Sequence, residues 1–202
     1  MTDAGAISIP GLTIPDVVSG YAHRQPQAEA MVCAEQRLSW AEFVKAYHRG
    51  ANALIAHGLR KGDKVALLMH NSIEMAVLIM AVAKAGGVLV PLSPLFDGAA
   101  LARMIERADV DYLFATQDNL ATIAGQAQML HALRDGGKIA VDFHAPGWLH
   151  YEVFTAGAST DEPAVTLRLD DVFNIMFTSG TTGDPKGAVH SHLSRLLYPL
   201  GW

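Results

Sequence analysis

The chain has 202 residues, half of them hydrophobic and 17% charged, and its formal net charge is −5. This composition supplies a sizeable core for one or two domains. The acidic balance and the lack of a basic run exclude a nucleic-acid-binding protein. The most apolar run, residues 75–83, is far shorter than the roughly 20 residues of a membrane span, so no such span is predicted.

The chain has a single cysteine, Cys33, which lies in an apolar run (residues 30–34) that we expect to be a buried strand. One cysteine excludes an internal disulfide and a cysteine-based zinc site, and it predicts a reducing, cytoplasmic location. The first residues show neither the basic region nor the apolar region of a signal peptide.

Capping residues and apolar spacing predict the first helices. Residues 14–27 are expected to form a helix whose first turn contains proline. Ser39 and Glu42 form a capping box for the next helix, which Gly58 ends. His48 and His57 lie on that helix, and we expect them at its surface or its end because neither has a second metal ligand at helical spacing.

The remainder of the chain alternates between apolar runs and helical patterns. Asn71 and Asp97 are expected to cap the helices ending near Ala85 and Ala108, whereas residues 145–164 have no clear period and read as a surface connection. The alternation predicts an α/β fold with a mostly parallel sheet flanked by helices. The strands after the first are expected at residues 65–69, 88–92, 112–116, 138–142, 172–177 and 187–190, with one further helix over 119–134 and another from about 191.

Residues 177–187 read Phe-Thr-Ser-Gly-Thr-Thr-Gly-Asp-Pro-Lys-Gly and follow an apolar run. Glycines let the backbone approach a ligand closely, consecutive backbone N–H groups form an anion-binding concavity, and hydroxyls donate to phosphate oxygens. Lys186 adds a positive charge, and Pro185 fixes the backbone before it. A loop at the carboxyl end of a strand is where α/β proteins bind ligands. The stretch therefore predicts a phosphate-binding loop.

Other interpretations of this region are weaker. The order Lys186, Gly187, Ala188 differs from a Walker A motif, and a flexible surface loop is disfavoured by the strand, proline and lysine around it. His190 and His192 would form a metal pair on one strand face, but no further ligand stands at motif spacing, so no metal site is predicted. Three charged residues of the fourth predicted helix are expected on a solvated face: Arg103, Glu106 and Arg107.

The loop resembles the signature of the AMP-forming adenylating enzymes, which include acyl-CoA synthetases, firefly luciferase and the adenylation domains of peptide synthetases. Residues 38–43, 58–65 and 83–92 are similar to earlier blocks of that family, in the family's order. The departures are mild and lie outside the loop chemistry: Trp40, Ser93 and Ala188.

The resemblance implies that a carboxylic acid and Mg-ATP form an acyl-adenylate, which coenzyme A converts to a thioester. It implies ATP contacts at Thr178, Ser179, Gly180, Thr181, Thr182, Gly183 and Lys186. Lys186 and Thr182 are the expected catalytic residues, and His192 would help to shape the acyl pocket.

The resemblance also implies that residues 1–202 are an incomplete N-terminal AMP-binding domain that ends just after the phosphate loop, with the C-terminal domain absent. Such a piece is expected to be inactive alone and, with open strand edges, to have low stability or to self-associate. The alternatives are a short non-catalytic nucleotide- or anion-binding module, and the adenylation domain of a peptide synthetase.

Overall fold

The computed structural model describes residues 11–178 and 185–198. The helices are α1 Ile14–Arg24, α2 Trp40–Ala56, α3 Ile73–Lys84, α4 Gly98–Ala108, α5 Gln117–Ala124, α6 Ala127–Ala132, α7 Tyr151–Thr155 and α8 His192–Leu197. The strands are β1 Glu29–Cys33, β2 Gln36–Ser39, β3 Lys64–Leu68, β4 Val88–Leu92, β5 Val110–Ala115, β6 Lys138–Ala140, β7 Leu149–His150, β8 Val172–Thr178 and β9 Lys186–Ser191.

Seven strands form one sheet in the order β7-β6-β5-β3-β4-β8-β9. Every neighbouring pair is parallel except β8 and β9, which form an antiparallel hairpin. The predicted α/β fold with a mostly parallel sheet is therefore confirmed. Helices cover both faces: one core layer packs α2 and α3 on the sheet, and the other packs α4 and α6. No helix of the described residues is long and apolar enough to cross a membrane.

The predicted caps are confirmed for two helices and displaced by one residue for a third. Ser39 Oγ accepts the Glu42 backbone N–H at 3.3 Å, and the Glu42 carboxylate accepts the Ser39 N–H. Asp97 Oδ1 accepts a backbone N–H from the first turn of α4 at 2.7 Å. The prediction that Asn71 caps α3 is wrong, because Ser72 performs that role. Helix α1 ends at Arg24, three residues before the predicted end.

Three regions differ from expectation. Strand β1 pairs with β2 in a separate antiparallel hairpin, and Cys33 is half-buried rather than buried. The helix predicted over residues 119–134 is two helices separated by residues 125 and 126. The presumed surface connection contains β7 and α7, whose Phe154 is buried and stacks on His57 at 4.4 Å between ring centroids.

A polar cluster around the buried Lys84 and His48 joins α1, α2 and α3 to the segment that leads into β8. Lys84, only 3% exposed, pairs with the Glu162 carboxylate and lies 3.6 Å from Asp16 Oδ1. Asn52 donates to the carbonyl oxygens of residues 159 and 161, each at 2.9 Å. His48 is buried and its Nδ1 lies 3.3 Å from the Thr160 oxygen, so its predicted surface position is wrong. His57, in contrast, is the C-cap of α2 as expected.

Candidate functional site

The predicted phosphate loop joins β8 to β9 at the carboxyl end of the parallel strands. The last residue pair of this hairpin is Thr178 with Lys186. Five predicted ATP contacts lie outside the described residues: Ser179, Gly180, Thr181, Thr182 and Gly183. The structure therefore places the two ends of the predicted site and brings them together.

Both ends of the loop are open to solvent. Thr178 is exposed, and its Oγ1 donates to the Lys186 carbonyl oxygen at 3.5 Å. Lys186 is also exposed, and no carboxylate of residues 11–178 or 185–198 forms an ion pair with it. An exposed lysine paired in the hairpin with an exposed threonine is a chemistry that suits a phosphate oxygen.

Gly187 lets the two strands of the hairpin lie close together. A Cβ added at Gly187 would be 2.9 Å from Ile175 Cγ2 on the opposite strand, so either the Ile175 side chain or the backbone would have to move. Gly187 pairs with Phe177, directly beside the pair that ends the hairpin. The glycine thus leaves room for the Ile175 side chain close to the start of the loop.

Arg107 holds the start of β9. The prediction that it lies on a solvated face of α4 with Arg103 and Glu106 is confirmed, since all three residues are exposed, but its contact with the hairpin was not predicted. Its Nη1 donates to the Pro185 carbonyl oxygen at 2.8 Å. A cavity of about 350 Å³ separates α4 from the hairpin, and both residues line it together with Ile175, Phe177 and Val189. No local signal could have identified this contact, because Arg107 follows the same helical pattern as the solvated residues around it.

A series of polar contacts links α8 to the end of the hairpin that lies away from the loop. Asn174 of β8 is buried, and its Oδ1 accepts from Arg195 Nε at 3.2 Å. Arg195 Nη2 lies 3.5 Å from His190 Nδ1. Helix α8 is thereby attached to both strands of the hairpin.

His192, the predicted acyl-pocket residue, begins α8 and is 1% exposed. Its Nδ1 accepts the Ile14 backbone N–H at 3.3 Å, and its ring packs edge-on against Phe173. Burial lowers the pKa of this imidazole, which favours the neutral form. Because His190 lies in β9 and His192 in α8, the two imidazoles do not share a strand face.

A second crevice lies at the same edge of the sheet, beyond the ends of β3 and β5. It has a volume of about 330 Å³, and three carboxylates line it, those of Glu74, Asp118 and Asp142. His70 Nε2 pairs with Asp118 at 2.7 Å. This acidic lining disfavours a polyphosphate, so the hairpin end is the better candidate. Within the described ranges, no group of three or more histidine, cysteine or acidic side chains could hold a metal ion.

Comparisons with known proteins identify the family of this chain. A family model described as AMP-binding enzyme matches residues 19–200. The long-chain-fatty-acid–CoA ligase FadD13 of Mycobacterium tuberculosis is 35% identical over 176 residues, 84% of this chain and 33% of that protein. Surfactin synthase subunit 2 of Bacillus subtilis is 31% identical over 186 residues, 92% of this chain and 5% of that protein.

Among solved structures, the inhibitor-bound N-terminal domain of FACL13 from Mycobacterium tuberculosis matches with a TM-score of 0.77 and 30% identity. That match covers 90% of this chain and 45% of the other. The chain spans about a third of the length of FadD13. Since the family model matches nearly every residue from 19 onward, the chain belongs to the AMP-binding enzyme family.

Proposed function

We propose that this chain supplies the ATP phosphate-binding loop of an AMP-forming acyl-CoA synthetase. The observation that carries the proposal is the pairing of Thr178 with Lys186 at the carboxyl end of β8, in a chain of the AMP-binding family. A cytoplasmic location belongs to the same proposal and is supported by the single free thiol of Cys33.

The proposed reaction has two steps. A carboxylate oxygen attacks the α-phosphorus of ATP, the bond between the α-phosphorus and the bridging oxygen breaks, and pyrophosphate leaves with the bonding electrons. The coenzyme A thiol then loses its proton and attacks the acyl carbon, and AMP leaves. The first step brings two anions together, so preorganised positive charge is needed where charge develops.

Lys186 and the hydroxyls of the loop supply that stabilisation in our proposal. The exposed ammonium of Lys186 would contact the β- and γ-phosphates and offset the charge of the departing pyrophosphate. Thr178 would donate its hydroxyl to a phosphate oxygen, and we assign the same role to the other loop contacts, Ser179, Gly180, Thr181, Thr182 and Gly183, the glycines through their backbone N–H groups. Thr182 and Lys186 are the residues that we expect to act on the reacting phosphates.

Mg²⁺ fits this site as an ion carried by the phosphates. The part of the chain that the structure describes offers no cluster of three protein ligands, and Mg²⁺ commonly binds through substrate phosphates with few protein ligands. When bound, it would neutralise part of the phosphate charge. The residues of this chain would then orient the phosphates against Lys186.

The acid substrate is proposed only as a small-molecule carboxylic acid, with His192 as a candidate wall of its pocket. FadD13 is named as a fatty-acid ligase. The second candidate function is an adenylation domain of a peptide synthetase, which suits a chain that also matches 5% of a much longer synthase. Pyrophosphate exchange by the complete protein with a panel of fatty, aromatic and amino acids distinguishes the two. Exchange that depends on an amino acid would overturn the acyl-CoA synthetase.

ATP titration of the 202-residue chain by calorimetry tests the phosphate loop. We expect weak binding that falls about tenfold in Lys186→Ala, because a charge-assisted contact of this kind contributes about 1.5 kcal/mol. Lys45→Ala is the matched control, since Lys45 is an exposed lysine of α2 and its loss changes the net charge equally. Equal affinities for the wild type and Lys186→Ala would contradict the proposed loop.

We infer that the 202 residues alone do not form an adenylate. The support is that FadD13, the relative with which they align, is about three times as long, so further binding groups are expected in the rest of such a protein. The measurement is release of radiolabelled pyrophosphate from ATP in the presence of the acid panel. Turnover by this chain would show instead that it is catalytically sufficient.

We also infer that the chain self-associates through β9. This strand is the outermost one of the described sheet, and its Val189 side chain is 62% exposed. An exposed edge strand offers unpaired backbone groups to a second copy. The exposed apolar side chain of Val189 would strengthen a contact between two copies of β9.

A further inference from the structure

Arg107 makes the only described hydrogen bond between α4 and the hairpin that carries the proposed phosphate loop. Its acceptor is the carbonyl oxygen of Pro185, the residue directly before Lys186. Proline has no backbone N–H, so this carbonyl is the polar backbone group through which the chain can be held at that position. Pro185 is also buried, so its placement is restricted on more than one side.

Helix α4, from which Arg107 makes this contact, is capped and packed into the core. Asp97 caps its first turn, and Leu101, Met104 and Ile105 are almost completely buried. The helix ends at Ala108, and its C-cap Asp109 adopts the left-handed conformation with φ 53°. Arg107 therefore projects from a segment whose position is fixed by the core, across the cavity of about 350 Å³ to the hairpin.

We propose that Arg107 is a positioning residue for Lys186. By holding the Pro185 carbonyl, it fixes where β9 begins and so where the Lys186 ammonium stands relative to the phosphates. Arg107 acts through the backbone and not by touching ATP. This inference rests on the proposed function of the loop. It assigns a role to α4, a helix that lies outside the loop sequence.

A double-mutant cycle on ATP binding tests the proposal. Arg107→Met should weaken ATP binding about fivefold when Lys186 is present, and less than about twofold in the Lys186→Ala background, because both changes remove the same interaction. Arg107→Lys keeps the charge and a donor nitrogen in a different geometry, so its affinity should lie between those of the wild type and Arg107→Met. Thermal unfolding of each variant establishes that it is folded.

Arg103→Met is the matched control, because Arg103 is an exposed arginine one turn earlier on α4. It should leave ATP affinity unchanged. A loss equal to that of Arg107→Met would show a general effect of charge and overturn the positioning role, as would equal losses with and without Lys186. If Lys186→Ala weakens binding and Arg107→Met does not, only this inference fails. If Lys186→Ala has no effect, the proposed function fails and this inference with it.

Discussion

The His192 imidazole accepts a hydrogen bond from the Ile14 backbone N–H at 3.3 Å, although the two residues are 178 positions apart. Ile14 is the first residue of α1, where backbone N–H groups have no partner within the helix. The residue that we propose for the acyl pocket thus satisfies a donor at the other end of the chain. Helices α1 and α8 are joined by this contact.

His192→Leu should lower the free energy of unfolding by about 1–3 kcal/mol, because it leaves the half-buried Ile14 N–H without its acceptor. His192→Asn should cost less, since an amide oxygen can replace the imidazole nitrogen. Urea denaturation measures both. The exposed His131, changed to leucine, is the control and should have little effect. A His192→Leu variant as stable as the wild type would remove the structural role.

Acidification should destabilise the fold through two buried histidines. Burial lowers the pKa of both His48 and His192, so the unfolded chain binds protons more readily than the folded one. The free energy of unfolding should be constant above about pH 6.5, the pKa of histidine in the unfolded chain, and should fall as the pH drops below that value. The slope of the urea midpoint against pH, measured between about pH 5 and 8, would show this fall, because histidine changes its charge in that interval.

The groups facing each ring do not reverse this expectation. Two carboxylates, those of Asp161 and Glu162, and the Thr160 oxygen favour the charged form of His48. Lys84 opposes that form, and burial, the largest effect on the pKa of His48, outweighs the favourable contacts. For His192, Asp171 and Asp16 favour the charge and Lys61 opposes it. His48→Gln should flatten the slope, and His131→Gln should not. A slope that is unchanged in His48→Gln would exclude His48 as a source.

Lys84→Met should destabilise the protein by about 1–3 kcal/mol, because the ammonium is buried and its loss leaves two carboxylates without their cation. Glu162 can regain water, which keeps the loss moderate. Adding Glu162→Gln to Lys84→Met should restore part of the stability. Thermal and urea unfolding measure the series, with the exposed Lys45→Met as control. Equal stability of Lys84→Met and wild type would show that the cluster contributes nothing.

Val189→Lys should abolish self-association, since it places a charge on the outer strand of the sheet. Sedimentation velocity over a range of protein concentrations measures the effect. Val153→Lys is a close control, because Val153 is 61% exposed but lies in α7 and not in a strand. A concentration-independent monomer in the wild type would refute self-association at β9.

Much of the fold could be predicted because its signals are local. Asp97 and the pair Ser39 and Glu42 mark helix starts through contacts three residues apart, and apolar runs mark the strands β3 and β4 at nearly their observed bounds. The position of the loop at the carboxyl end of β8 follows from the same reasoning. These features depend on neighbours in sequence.

The missed features depend on neighbours in space. Arg107 looks like any solvated arginine until α4 is packed beside the hairpin. Burial of Lys84 and His48 requires the segment around Glu162 to fold over them. The strand β7 pairs with β6 for only two residues, too short a run for periodicity to reveal. Each of these is a tertiary effect that overrides local propensity.

The sheet order has a consequence for the order of folding. Strands β3, β4 and β5 are neighbours joined by single helices, whereas β8 joins β4 through the pairing of Leu89 with Asn174, after β5, β6 and β7 have intervened. Closing the longer loop costs more chain entropy and slows assembly. We therefore expect amides of β3 to gain protection before those of β8. The hairpin that carries the proposed phosphate loop would be the last part of the sheet to assemble, so a folding intermediate can contain most of the sheet and still bind no ATP.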